Sequence, residues 1–182
     1  MKRFITQKLV SWKNSKDRKP LILRGSRQVG KTYILKKFGN DNYENVAYFN
    51  FDHDEGLSEL FTHTKDPKRI IEQLSIGSGK KINPSTTLII FDEIQECPNA
   101  LNSLKYFCEE AREYHVACAG SLLGIRLSKT SFPVGKVEFL NIYPMTFSEF
   151  LIADGSENLV NIMKNTTSIT EFPQIFASEL IE

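Results

Sequence analysis

The chain is 182 residues long, 41% hydrophobic and 25% charged, with a formal net charge of +1. That length holds one α/β domain with a sizeable core and at most a small appendage, and a charge this close to zero makes no case for nucleic acid or an anionic membrane as partner. No apolar run approaches the ~20 residues that cross a bilayer and the amino terminus lacks a signal-peptide apolar region, so the expectation is a cytoplasmic protein without a membrane partner.

Residues 2–14 carry Phe4, Ile5, Leu9 and Trp12 at helical spacing and predict an amphipathic helix. The basic residues Lys13, Lys16, Arg18 and Lys19 read as a solvated turn, as do Lys80 and Lys81 further on. Pro20 opens a short apolar run, Leu21-Ile22-Leu23-Arg24, expected of a buried strand. Beyond a glycine-rich octapeptide, Ile34, Leu35 and Phe38 share one helical face, with Gly39 as the expected stop. Residues 45–51 predict the second strand, and Asp52-His53-Asp54-Glu55 reads as an acidic turn into a helix rather than a metal cluster. Helices are expected near 55–63 and 67–77, the second broken by Gly77-Ser78-Gly79.

The apolar run Thr87-Leu88-Ile89-Ile90-Phe91 predicts a third strand that ends in Asp92-Glu93. Pro98 opens a helix to about Arg112, with Leu101, Leu104, Tyr106, Phe107 and Ala111 on its buried side. Residues 115–119 give a fourth strand, ending in Gly120-Ser121, and 136–143 a fifth, which Pro144 stops. From Thr146 only helical patterns remain: Phe147, Phe150 and Leu151, then Leu159, Val160 and Met163, then Phe172, Ile175, Phe176, Leu180 and Ile181. Strands alternating with helices imply an α/β protein with a mostly parallel sheet covered on both faces. Cys97, Cys108 and Cys118, odd in number and without Cys-x-x-Cys spacing, read as reduced structural residues.

The octapeptide Gly25-Ser26-Arg27-Gln28-Val29-Gly30-Lys31-Thr32 fits G-x-x-x-x-G-K-[ST] and lies between a strand and a helix. In that pattern the glycines permit a tight turn whose backbone N–H groups face phosphate oxygens. Lys31 supplies a point charge to the β- and γ-phosphates, and the Thr32 hydroxyl is a ligand for Mg²⁺. The following helix adds its positive end. The alternative is a glycine-rich turn with Lys31 merely exposed; the flanking strand and helix favour the phosphate cradle.

Asp92 and Glu93 fall at the C-terminal end of the third strand, the edge of an open α/β sheet where ligands bind. Asp92 is there to hold Mg²⁺, through a bound water, because Mg²⁺ keeps most of its hydration shell. Glu93 can orient and deprotonate an attacking water. An acidic pair after a strand is otherwise a helix N-cap. With the cradle upstream, ATP and Mg²⁺ are the expected cofactors. An activating glutamate favours an ATP hydrolase over a P-loop kinase or transferase; a binding switch with little intrinsic hydrolysis is the other alternative.

With the octapeptide, Phe91-Asp92-Glu93-Ile94-Gln95 and Ala119-Gly120-Ser121 in view, the chain resembles a prokaryotic family of AAA-type ATPases. Phe132-Pro133-Val134-Gly135-Lys136-Val137-Glu138-Phe139-Leu140 and Tyr143-Pro144-Met145-Thr146-Phe147-Ser148-Glu149-Phe150-Leu151 extend the resemblance. It implies a three-layer P-loop sheet of five core strands in additional-strand order, the acid strand separated from the cradle strand by the one ending at Ser121. It also implies that Ser121 senses the γ-phosphate, the alternative being an ordinary turn serine. In that family an N-terminal ATPase domain is followed by a C-terminal domain of poorly known function. The implied layout is 1–19 as helix and lead-in, 20–145 as ATPase core, and 146–182 as the start of a further region. The partner would be a protein or the chain's own C-terminal domain. Arg112 and Arg126 are the candidates for an arginine that stabilises transition-state charge. Where relatives carry Gly-Arg this chain has Gly135-Lys136, which keeps the charge but loses the planar fork.

Overall fold

The computed structural model describes residues 3–52, 54–121 and 135–166. His53, Arg126, the stretch 132–134 and the apolar pattern from Phe172 to Ile181 lie outside the described residues. The chain divides into two compact units: Ile5–Tyr143, and Met1–Phe4 together with Pro144–Glu182.

In the larger unit five strands form one sheet: β1 (Leu21–Arg24), β2 (Asn45–Asn50), β3 (Thr87–Asp92), β4 (His115–Gly120) and β5 (Glu138–Asn141). Their order is β2-β3-β4-β1-β5, and every pairing is parallel, with Leu21 opposite both Ala117 and Glu138, Val46 opposite Leu88, and Leu88 opposite His115. The acid-tipped strand β3 is thus separated from the cradle strand β1 by β4. All six residues of β3 are buried, as a continuous apolar run requires when both faces are covered.

Alternation along the strands divides the core in two. Leu88 and Ile90 face α1 (Ile5–Lys13) and α2 (Lys31–Asn42), packing with Leu9, Trp12, Ile34, Leu35 and Phe38. Ile89 and Phe91 face α3 (Glu55–His63), α4 (Pro67–Ser78) and α5 (Pro98–Glu110). The result is a three-layer α/β fold in P-loop NTPase order. Phe91, fully buried, makes edge contacts with Phe51, Phe61 and Phe107; its loss to alanine would cost about 3–5 kcal/mol.

Several local expectations are corrected. Gly39 does not stop α2; the helix runs to Asn42. A Cβ on Gly39 would lie 2.6 Å from Val46 Cγ2, so the missing side chain lets α2 press on β2 and β3. Gly77 and Ser78 remain helical, and Gly79, with φ 63°, ends α4. The basic run is not simply solvated. Lys13 donates to the Asn42 carbonyl and lies over the Tyr43 ring, and Arg18 donates to the carbonyls of Lys13 and Arg112 at 2.9 Å. Asp54 caps α3 through the Leu57 N–H at 2.9 Å, as an acidic turn into a helix should. All three cysteines are free and buried.

The smaller unit holds α6 (Phe147–Asp154) and α7 (Glu157–Asn165), with Leu151, Leu159 and Val160 buried. Thr146 and Glu149 form a reciprocal capping box, and the buried Arg3–Glu149 pair at 3.0 Å ties in the chain before α1. Phe4, Phe147 and Phe150 are exposed, contrary to their sequence pattern. Among the described residues no helix is long and apolar enough to cross a membrane.

Candidate functional site

The cradle begins where β1 ends. Gly25 lies so close to the end of β5 that a Cβ there would meet the Ile142 carbonyl oxygen at 2.4 Å. Gln28 and Gly30 then take left-handed backbone, φ 63° and 87°. That conformation is free for glycine and costs a glutamine about 1 kcal/mol or more. Gly30 occupies the N-cap of α2 and no side chain caps its first turn. The start of such a helix presents backbone N–H groups and the positive end of the helix dipole, which suit an anion.

Lys31, the first residue of α2, is only 6% exposed. Its Nζ donates to the Gly25 carbonyl at 3.1 Å and the Ser26 carbonyl at 2.7 Å. Burial lowers its pKa below the ordinary lysine value, an effect opposed by the charges of Glu93 and Asp92. A glycine-rich turn with an exposed lysine is not what forms. One residue on, the Thr32 hydroxyl donates to Asp92 Oδ2 at 2.8 Å.

Asp92, 3% exposed at the end of β3, accepts two further bonds. The Tyr48 hydroxyl donates to Oδ2 at 2.8 Å, and the Glu93 N–H to Oδ1 at 3.1 Å. Burial, then Asp92 itself, raises the Tyr48 phenol well above its ordinary pKa, so it stays a donor. Glu93 sits just beyond the strand in left-handed backbone, φ 49°, ahead of a short 3₁₀ turn (Ile94–Glu96) that its side chain does not cap. Its Oε2 instead accepts from Gln95 Nε2. The strain at Gln28 and Glu93 falls on the two sides of one cleft, where such strain characteristically collects.

That cleft has a volume of about 620 Å³, within the roughly 300–1,000 Å³ of small-molecule sites. Arg27, Gln28, Gly30, Lys31 and Thr32 line it from the cradle, and Glu93 and Ser121 from the tips of β3 and β4. Gly25, Ser26 and Val29 belong to the loop without lining the cleft, and Asp92 lies behind it, reached through Thr32. Asp52, Gln95, Glu96 and Tyr33 also line it; sequence reading placed Asp52 only in an acidic turn and Gln95 only in the motif after β3, and named none of the four as a site residue. Tyr48 was missed too. Its only sequence signal is strand alternation, which puts it on the face of Asn50, the partner of Asp92 in the β2–β3 register.

Two basic residues stand elsewhere. Lys136 precedes β5 and pairs with Glu109 at 2.9 Å, at the edge where the strands begin, so it does not contribute to the phosphate end. Arg112 lies at that same edge, its Nε donating to the Cys108 carbonyl at 2.6 Å.

Sheet order, cradle and strand-tip acids define a P-loop NTPase class of α/β module. The family model for the AAA domain matches residues 17–151, and the chain belongs to that family, a family of ATP-binding, ATP-hydrolysing modules. No curated protein matches. Among solved structures, the chain is similar to a structure of Drosophila ORC bound to AT-rich DNA and Cdc6, with 12% identity and TM-score 0.51, covering 90% of this chain and 62% of that one. It is also similar to C. elegans PCH-2, with 14% identity, TM-score 0.44 and coverage of 95% and 50%. Against the Pif1 helicase from Candida albicans the values are 12%, 0.44, and 89% and 42%. The chain thus spans less than two thirds of each, and the likeness to the ORC structure is one of fold alone.

Proposed function

We propose that this chain is an Mg²⁺-dependent ATPase module that couples hydrolysis to an appended domain or a protein partner. The observation that carries the reading is the convergence of Lys31, Thr32, Glu93 and Ser121 on one cleft, with Asp92 bonded behind Thr32. Residues 25–32 take the phosphates, and Lys31 exchanges its bonds to the loop carbonyls for bonds to β- and γ-oxygens. Glu93 accepts the proton of the attacking water, and Ser121 contacts the γ-phosphate.

A cation site fits the residues present. A hydroxyl and a carboxylate 2.8 Å apart are hard oxygen donors of the kind Mg²⁺ takes in ones or twos while keeping its waters. Thr32 and Asp92 are the residues that would hold it. When bound, Mg²⁺ neutralises charge developing on the phosphate oxygens. Adenine as base, the layout 1–19, 20–145 and 146–182, and a C-terminal domain or protein as the driven partner follow the resemblance to prokaryotic AAA-type ATPases.

Nucleotide titration of the wild type and Lys31→Ala, with phosphate release followed in parallel, tests the reading. Wild type binds ATP and releases phosphate without an added acceptor; Lys31→Ala does neither. Tight binding with no turnover would favour a binding switch, and phosphate transfer only to an added acceptor a transferase.

A further inference from the structure

Tyr48 closes a circuit that joins two layers of the fold at the Asp92 carboxylate. It lies on β2, with Tyr48 opposite Ile90 and Asn50 opposite Asp92. Side chains two apart on a strand share a face, so Tyr48 points to the same side as Asp92, the side covered by α2. On α2, Thr32 and Lys36 are one turn apart and leave the helix together. Thr32 reaches Asp92 at 2.8 Å, and Lys36 Nζ sits 3.4 Å from the centroid of the Tyr48 ring. The Tyr48 hydroxyl, 2.8 Å from Asp92 Oδ2, completes the ring of four side chains.

We propose that Tyr48 is the positioning residue of the cation site, holding the Asp92 carboxylate in the orientation that receives the water shell of Mg²⁺; this rests on the Mg²⁺-ATP reading above. Three donors from three elements fix that carboxylate: Thr32 from α2, Tyr48 from β2 and the Glu93 N–H from the turn after β3. Thr32 is itself a ligand, and the Glu93 N–H moves with the turn that carries the general base. Tyr48 is neither a proposed ligand nor part of the turn that carries the general base. Its neighbours along β2 and β3 show why the hydroxyl matters. Phe49, Phe51 and Phe91 satisfy packing on the other face with plain rings, whereas Tyr48, on the sheet face of Asp92, carries a phenol whose ring the Lys36 ammonium steadies from α2. Groups that orient a metal ligand without touching the metal commonly set its affinity.

Tyr48→Phe removes only the hydroxyl and leaves the ring under Lys36. Calorimetric binding of ADP and of a slowly hydrolysed ATP analogue is measured in EDTA and across a MgCl₂ titration. The expected result is nucleotide affinity in EDTA within about twofold of wild type, but a Mg²⁺ half-saturation raised by about tenfold. Unchanged Mg²⁺ half-saturation overturns the proposal. So does an equal loss of affinity with and without Mg²⁺, which marks a purely structural tyrosine. If the wild type itself binds nucleotide indifferently to Mg²⁺, the Mg²⁺-ATP reading fails, and Tyr48 as positioning residue fails with it.

Discussion

The hydroxyl of Thr32 and the carboxylate of Asp92, 60 positions apart in sequence, lie 2.8 Å from each other. The first turn of α2 and the end of β3 therefore meet through one hydrogen bond, and in the proposed Mg²⁺ site both oxygens would serve. Asp92→Asn keeps the shape and an oxygen acceptor for Thr32 but removes the charge. Phosphate release in saturating Mg²⁺ should fall by about 100-fold or more, while nucleotide binding in EDTA stays close to wild type. Equal turnover in the two proteins would remove Asp92 from the cation site.

Glu93 is held in left-handed backbone and bonded to Gln95, a posture that fixes where its carboxylate can point. Glu93→Gln is isosteric but cannot take a proton. Turnover should drop by about 10²–10⁴-fold, the range for loss of a general base, with ATP still bound. Single-turnover phosphate release checks it directly, and retention of wild-type rate would leave the glutamate without a chemical role.

What sequence could and could not reveal follows from how local each feature is. The cradle and the tip of β3 were legible because each is a contiguous signal: an octapeptide with fixed glycines, and an apolar run that stops at two acids. Tyr48 was not, because its task depends on the β2–β3 register, and register is set by tertiary pairing. Gln95 stood inside a motif read for its acids alone. Gly39 looked like a stop because glycine ends helices; its actual cause, the approach of Val46 from another element, leaves no trace in neighbouring residues. Lys13 and Arg18 read as solvent charges because sequence does not say that they reach distant carbonyls.

Two glycines test that distinction by responding oppositely to one substitution. Gly77, exposed near the end of α4, has no heavy atom within 4 Å of an added Cβ, whereas at Gly39 the Cβ would meet Val46 at 2.6 Å and Leu88 at 3.1 Å. Alanine in a helix is worth about 1 kcal/mol over glycine, and overpacking costs about 1–3 kcal/mol. Gly77→Ala should stabilise by about 0.5–1 kcal/mol. At Gly39 a β-branched valine on a strand gives little way, so the upper end of the overpacking range wins and Gly39→Ala should destabilise by about 2 kcal/mol. Urea unfolding of the two variants decides it; stabilisation by Gly39→Ala would mean that α2 has room to move.

His115, 4% exposed at the start of β4, accepts or shares a proton with the Tyr43 hydroxyl at 2.7 Å through Nδ1. Burial, and then the charges of Arg18 and Lys13, lower its pKa to about 4. The unfolded chain titrates near the ordinary value of about 6.5, so between the two the unfolded state binds more protons and stability rises with pH. The contribution is present in full above about pH 6.5, shrinks as pH falls, and is gone below about pH 4; its ceiling is about 3 kcal/mol, reduced to the extent that solvent reaches the ring. His115→Phe preserves a ring for the edge contacts with Trp12 and Tyr43 but does not titrate. At pH 7 it should be less stable than wild type by about 1–2 kcal/mol, for the Tyr43 hydroxyl left without its partner. Between pH 6.5 and 4 the gap should close and then reverse, because wild type alone has a buried imidazole to charge. Urea midpoints at half-unit pH steps measure the difference, and parallel curves for the two proteins would show that His115 titrates normally in the fold.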